Sequence, residues 1–152
     1  MGDWLAAVKN AAVTAGQATT PKYDDVAIGA PVPRGRCVRV WWAGEAIPAP
    51  QMGEVRYSLD HEIVGHEIAV TVFEPMGDAS EQASEDRMAT IADFVVELRD
   101  AIDIDRSLGG KSMSVEPEAT PADFVNIGGT LYAIASMVMP VGVIEFEVGN
   151  GS

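Results

Sequence analysis

The chain has 152 residues, of which 47% are hydrophobic and 22% are charged. This is about the length of one domain, and the composition excludes a disordered or fibrous protein. The single cysteine, Cys37, excludes an internal disulfide framework and a four-cysteine zinc site, and it favours a reducing compartment. No run of 18 apolar residues is present, and the first residues lack the pattern of a secretory signal. We therefore expect one domain over residues 1–152 that does not interact with membranes.

The net charge of −13 is distributed unevenly along the chain. Residues 1–60 hold six of the 23 acidic residues and six of the ten basic ones, so residues 61–152 hold 17 acids and four bases. An acidic surface repels the phosphate backbone, which disfavours specific nucleic-acid binding. A solvated acidic face is the simplest interpretation. The alternative is that the neutral segment of one copy packs against the acidic segment of another.

The first half of the chain predicts a helix followed by strands. Residues 3–17 carry apolar residues at helical spacing, and residues 18–36 are broken by prolines and glycines into a long loop with a brief extended piece at 26–28. Residues 37–43 alternate as in a strand, which sends Trp41 and Trp42 to opposite faces. A second long loop is predicted at 44–54, before strands at 54–59 and 62–74.

The second half predicts an amphipathic helix and two closing strands. Asp78 and Glu81 have the spacing of a capping box, and a glycine pair at 109–110 marks the end of the helix. The apolar stripe of this helix consists of Met88, Ile91, Val95, Leu98 and Ile102, widened by Phe94 and Ala101. A turn at 126–129 leads into a strand at 130–139, Pro140 is expected to break it, and a further strand follows at 143–148 before a short polar tail.

The order of these elements predicts an α+β fold. Helix, strands, helix and strands follow one another in groups, which favours a mostly antiparallel sheet over alternating βαβ units. We expect about four to five strands and two helices that cover them.

Three motifs suggest a metal site, a phosphate-binding loop and a cysteine nucleophile, but each lacks a required feature. His61 and His66 are five residues apart, which places them on different faces of either a helix or a strand and disfavours a shared metal ion. Residues 105–112 end like a phosphate-binding loop, but Asp105 stands where the first glycine is required. Cys37 has no local base to activate it, which favours a small buried or half-buried thiol. The sequence predicts no catalytic, cofactor-binding or metal-binding residues, and hence not an enzyme.

The most distinctive surface candidate is a basic and aromatic segment. It consists of Arg34, Arg36, Arg39, Trp41 and Trp42. Because alternation sends the two tryptophans to opposite faces, they cannot both enter one core. Either one of them lies at an interface, or helices cover one face of the sheet while loops cover the other.

The order of elements resembles the tail terminator and tail completion proteins of long-tailed bacteriophages. The features that carry the resemblance are the N-terminal helix, the proline-rich approach to the aromatic strand at 38–42, the strand at 66–74 that runs into an acidic helix at 87–102, and the two closing strands. This resemblance implies an α+β subunit that forms a ring, usually of six copies. The ring caps the tail tube, ends its polymerisation and joins the tail to the head, without catalysis or cofactors.

The resemblance also implies partners and a location. The partners are further copies of this chain, the tail tube protein and head-completion or neck proteins, while genome DNA passes through without specific binding. The location is the virion, after assembly in the host cytoplasm. Two alternatives stay open: another head-to-tail connector, such as a head completion or neck protein, and a small enzyme or ligand-binding domain.

The charge distribution suggests which surfaces meet in such a ring. We expect the basic and aromatic segment of one copy to face the exterior of the acidic helix of the next. The residues expected on the acidic side are Glu85, Asp86, Asp93, Glu97 and Asp100. Reversal of the charge at Arg36 by Arg36→Glu is then expected to weaken assembly, most visibly at low salt.

Overall fold

The computed structural model describes residues 2–46, 61–76, 81–104, 118–119 and 123–146. The predicted α+β fold is confirmed. The elements in chain order are α1 (Gly2–Ala18), β1 (Val26–Ile28), β2 (Cys37–Ala46), β3 (His61–Pro75), α2 (Glu81–Ile104), β4 (Glu118–Ala119), β5 (Asp123–Ile127) and β6 (Thr130–Phe146).

The strands form one mixed sheet in the order β1-β2-β3-β6-β4, with β5 also paired to β6. β4 and β5 therefore pair with different parts of the outer edge of β6, so the six described strands form a sheet that is five strands wide. Only β1 and β2 are parallel, and all other described pairs are antiparallel. The sheet is mostly antiparallel, as predicted. The short strands β4 and β5 were not predicted.

The expected break at Pro140 is wrong. β6 continues from Thr130 to Phe146, and its pairing with β3 passes through Glu67 opposite Pro140 to His61 opposite Phe146. Proline lacks one backbone donor, which is tolerated where no second strand requires it. Within the described ranges, the outer neighbours of β6 reach no further than Val138. The two predicted closing strands are therefore one strand of 17 residues.

Both helices pack on the same face of the sheet. α2 has the predicted stripe, since Ile91, Leu98 and Ile102 are at most 2% exposed. From α1, Val8, Ala12 and Ala15 enter the same apolar cluster. The strand residues of this cluster are Val38, Val40, Ile68, Val70, Val72, Ala133, Ala135, Met137 and Met139. No helix in the described part of the chain is long and apolar enough to cross a membrane.

A close backbone approach after α1 positions Tyr23 at the edge of this core. The amide of Tyr23 donates to the carbonyl of Gly16 at 3.0 Å. A Cβ atom on Gly16 would lie 2.8 Å from the carbonyl oxygen of Tyr23, so only glycine fits without a shift of the chain. The Tyr23 ring then meets Phe94 of α2 edge-on, with 5.2 Å between ring centroids.

One strand boundary differs from the sequence-based expectation, one predicted turn is confirmed, and several expectations fall outside the described residues. β2 extends to Ala46, so the first three residues of the loop predicted at 44–54 belong to the strand. The predicted turn at 126–129 is confirmed as a two-residue hairpin turn, in which Gly128 and Gly129 adopt φ of 60° and 86°. The predicted strand at 54–59, the capping residue Asp78, the glycine pair at 109–110 and the polar tail lie outside the described residues.

Candidate subunit interface

Arg39 forms a two-pronged ion pair with Asp25 on the face of the sheet away from the helices. Its Nη1 and Nη2 atoms lie 2.9 and 3.0 Å from the two carboxylate oxygens of Asp25. The hydrogen bond from Arg39 lowers the pKa of Asp25. The parallel pairing of β1 with β2 brings the two residues together, because Asp25 immediately precedes β1. Arg39 is only 9% exposed, so it lies in this internal pair.

The two tryptophans lie on opposite faces, as predicted. Trp41 pairs with Ala69 and Trp42 with Ile68 in the register of β2 and β3. The indole of Trp41 donates to Thr71 Oγ1 at 3.0 Å, whereas that of Trp42 donates to His66 Nδ1 at 3.3 Å. Trp42 is 45% exposed and is therefore the tryptophan available to a partner.

Arg36 belongs to a buried cluster at the end of the helix-covered face. Its guanidinium forms an ion pair with Glu74, and its Nη1 donates to the carbonyl of Lys22 at 3.0 Å. The Arg36 Cζ atom lies 4.4 Å from the centroid of the Tyr23 ring, a cation–π distance. The side chain of Glu74 is 4% exposed. Burial and the charge of Glu74 raise the pKa of the Tyr23 hydroxyl.

These contacts change how the predicted basic surface is tested. Arg36 and Arg39 have acidic partners within their own chain, whereas Arg34 is exposed. Arg36→Glu would place a second carboxylate beside the buried Glu74, and the loss of folding would mask any loss of assembly. The contact predicted for this segment stays a prediction, and the exposed Arg34 is the residue at which it can be tested without breaking an internal pair.

The acidic residues predicted on the other side of the contact lie on the exterior of α2. Glu85, Asp86, Asp93 and Asp100 are exposed, and Glu97 is half-buried. Positions 93, 97 and 100 have the spacing of one helical face. This face is turned away from the residues of α2 that pack on the sheet. We call Asp93, Glu97 and Asp100 the acidic stripe.

Next to the Arg36–Glu74 pair, the structure contains a cavity that the sequence did not predict. Its volume is about 370 Å³, and it is lined by Pro21, Arg36, Glu74, Pro75 and Arg87. The Nε atom of Arg87 donates to the carbonyl of Pro75 at 3.0 Å and lies 4.0 Å from Glu74 Oε2. One signal was present in the sequence: Arg87 falls four residues before Ile91 and seven before Phe94, so it shares the sheet-facing side of α2.

The remaining chemical candidates are accounted for as follows. The segment that holds His61 and His66 is a strand, as predicted. Cys37 is fully buried, and burial raises the pKa of its thiol. Among the residues that the structure describes, no three His, Cys, Asp or Glu side chains are grouped to hold a metal ion. The segment at 105–112 that ends like a phosphate-binding loop lies outside the described residues.

The chain matches no protein-family model, and it matches no curated protein.

Proposed function

We propose that this protein is a structural subunit of a bacteriophage tail, a tail terminator that forms a ring at the end of the tail tube. The observation that carries the proposal is the arrangement of α1, the antiparallel sheet and α2. β3 leads across the undescribed residues 77–80 to an acidic helix, and that helix packs with α1 on one face of the sheet. The resemblance to tail terminators implies an α+β subunit with this order of helices and strands, although the two closing strands that it included are one strand, β6.

The use of polar side chains supports a structural role. Among the described residues, the buried Arg39 and Glu74 are each held in a pair within the chain, Arg39 with Asp25 and Glu74 with Arg36. These pairs join loop residues to strand residues, and most of the acidic side chains described on α2 stay exposed at the surface. A surface with a strong field of one sign favours a defined orientation of the partner and fast association.

In this role the partners are further copies of the chain, the tail tube protein and the head-completion or neck proteins. A ring requires a contact between two different surfaces of neighbouring copies. The exposed Trp42 and the acidic exterior of α2 are two surfaces that such contacts can use.

The proposal is tested by the mass of the purified protein in solution, measured by light scattering over a concentration series, with negative-stain microscopy of the largest species. We expect either a closed oligomer or a monomer that assembles into rings when the tail tube protein of the same phage is added. A strict monomer that ignores the tube protein would overturn the terminator function. Assembly with head or neck proteins but not with the tube would instead identify another connector.

A further inference from the structure

The cavity beside Glu74 contains an arginine whose hydrogen-bonding capacity is only partly used. Arg36 forms an ion pair with the Glu74 carboxylate, and the Nε atom of Arg87 donates a hydrogen bond to the carbonyl of Pro75. Within the described ranges, the two terminal nitrogens of Arg87 have no acceptor. The Arg87 side chain is 40% exposed, and it lines a space of about 370 Å³.

This arrangement suits a carboxylate. A guanidinium whose Nε is already fixed presents its terminal N–H groups in a defined plane, which matches the two oxygens of a carboxylate. Among the residues that the structure describes, two arginines and one carboxylate line the cavity, so their net charge is positive although the chain as a whole carries −13. Pro21 and Pro75 line the same space and contribute no charge to it.

The acidic stripe of the same chain cannot supply this carboxylate. Asp93 is six residues beyond Arg87 on α2, which is about 9 Å along the helix axis and about 240° around it. Arg87 reaches back to Pro75 at the end of β3, whereas the stripe faces away from the sheet. A contact between the two therefore requires two molecules.

We propose that the cavity at Arg87 of one copy receives a carboxylate from the acidic stripe of α2 on a second copy. This inference rests on the proposed function, because it names the contact between subunits of the ring. The two surfaces differ and lie on opposite sides of α2, so the contact is head-to-tail. A head-to-tail contact generates a ring when its rotation closes.

The first experiment compares Arg87→Gln with Arg99→Gln in sedimentation velocity over a concentration series, with tube protein present if the wild type assembles only in its presence. Both variants remove one positive charge from α2, but Arg99 is exposed and does not line the cavity. We expect Arg87→Gln to raise the apparent dissociation constant of self-association by at least about tenfold. We expect Arg99→Gln to change it by less than about threefold. Thermal unfolding of both variants shows whether either effect arises from a loss of folding.

The second experiment neutralises the stripe by Asp93→Asn, Glu97→Gln and Asp100→Asn together. We expect a weakening similar to that of Arg87→Gln, and little further weakening when all four substitutions are combined, because they remove the same contact. Fully additive effects, or equal effects of Arg87→Gln and Arg99→Gln, would overturn the inference while the ring function stands. A wild-type chain that stays monomeric with and without tube protein would overturn both.

Discussion

The two faces of the sheet are buried in different ways. The middle of the helix-covered face consists of aliphatic residues and methionines, and both helices pack against it. On the opposite face, Cys37, Phe73 and Tyr132 form a smaller apolar cluster, and Thr71 is buried beside it. No described helix packs there.

On the face that no described helix covers, polar side chains are buried with hydrogen-bond partners on neighbouring strands. On the opposite face, Trp41 donates across to Thr71, and Thr71 lies 2.9 Å from Ser136 Oγ, so one polar chain crosses three strands. Arg39 lies on the same face and forms its pair with Asp25. On this face, hydrogen-bonded polar side chains are buried beside a small apolar cluster, whereas the middle of the helix-covered face is buried by apolar packing.

The largest effect on stability is expected from a substitution that creates an empty space between α2 and the sheet. Phe94 is 1% exposed and packs against Tyr23, so Phe94→Ala should lower the free energy of unfolding by about 3–5 kcal/mol. Val96 lies two residues further on the same helix and is 52% exposed, so Val96→Ala should cost less than about 1 kcal/mol. Urea denaturation of both variants measures the contrast. Similar losses would show that α2 does not cover the sheet as described.

An intermediate effect is expected from the polar chain on the opposite face. Thr71→Val keeps the shape of the side chain but removes the acceptor of the Trp41 indole, and we expect a loss of about 1–3 kcal/mol. The matched control is Thr90→Val on α2, where the hydroxyl only donates to the carbonyl of Asp86. If the two substitutions cost the same in urea denaturation, the opposite face does not depend on its hydrogen bonds.

The smallest effect is expected at the exposed end of the Arg39 pair. The Asp25 side chain is 46% exposed, so Asp25→Asn should cost only about 0.5–1 kcal/mol at neutral pH. Because Arg39 lowers the pKa of Asp25 in the folded state, the stabilisation is present above the ordinary value of 3.8 and is lost as the pH falls through the lower folded pKa.

The stability of the wild type should therefore fall more steeply below about pH 4 than that of Asp25→Asn. The control is Asp24→Asn, which makes the same change at the adjacent residue and leaves the Arg39 pair intact. Acid titration of the free energy of unfolding compares the three proteins. Parallel curves for the wild type and Asp25→Asn would show that the pair contributes nothing.

Local patterns were enough to predict the main elements. The apolar residues from Met88 to Ile102 recur at helical spacing and so lie on one side of a helix. The alternation of apolar and polar residues at 62–74 indicates a strand. The prediction at Pro140 was wrong because a proline breaks a strand only where a neighbouring strand would accept a hydrogen bond from the missing N–H group. The sequence alone does not show the neighbours of β6. β5 was not predicted because its five residues are too few to show a clear alternation of apolar and polar side chains.

The contacts of the arginines could not be predicted from the sequence. Charged side chains are usually solvated, so the segment with Arg36 and Arg39 was expected to be surface. Their acidic partners are 38 and 14 residues away in the chain, and only the register of the strands brings them close. The helical period of α2 places Arg87 on the apolar side of the helix, but its contacts with Pro75 and Glu74 were not predicted either.

The pairing of β3 with β6 has a consequence for how each molecule is made. The paired positions are 57 residues apart at Pro75 and Tyr132, and 85 apart at His61 and Phe146, with α2 between them. Contacts between such distant parts of a chain form slowly, because a long loop must close first. The central strand β3 thus lacks one neighbour until β6 has left the ribosome. The described sheet can therefore close only after α2 and β6 have both been synthesised, so the fold forms late in synthesis and not element by element.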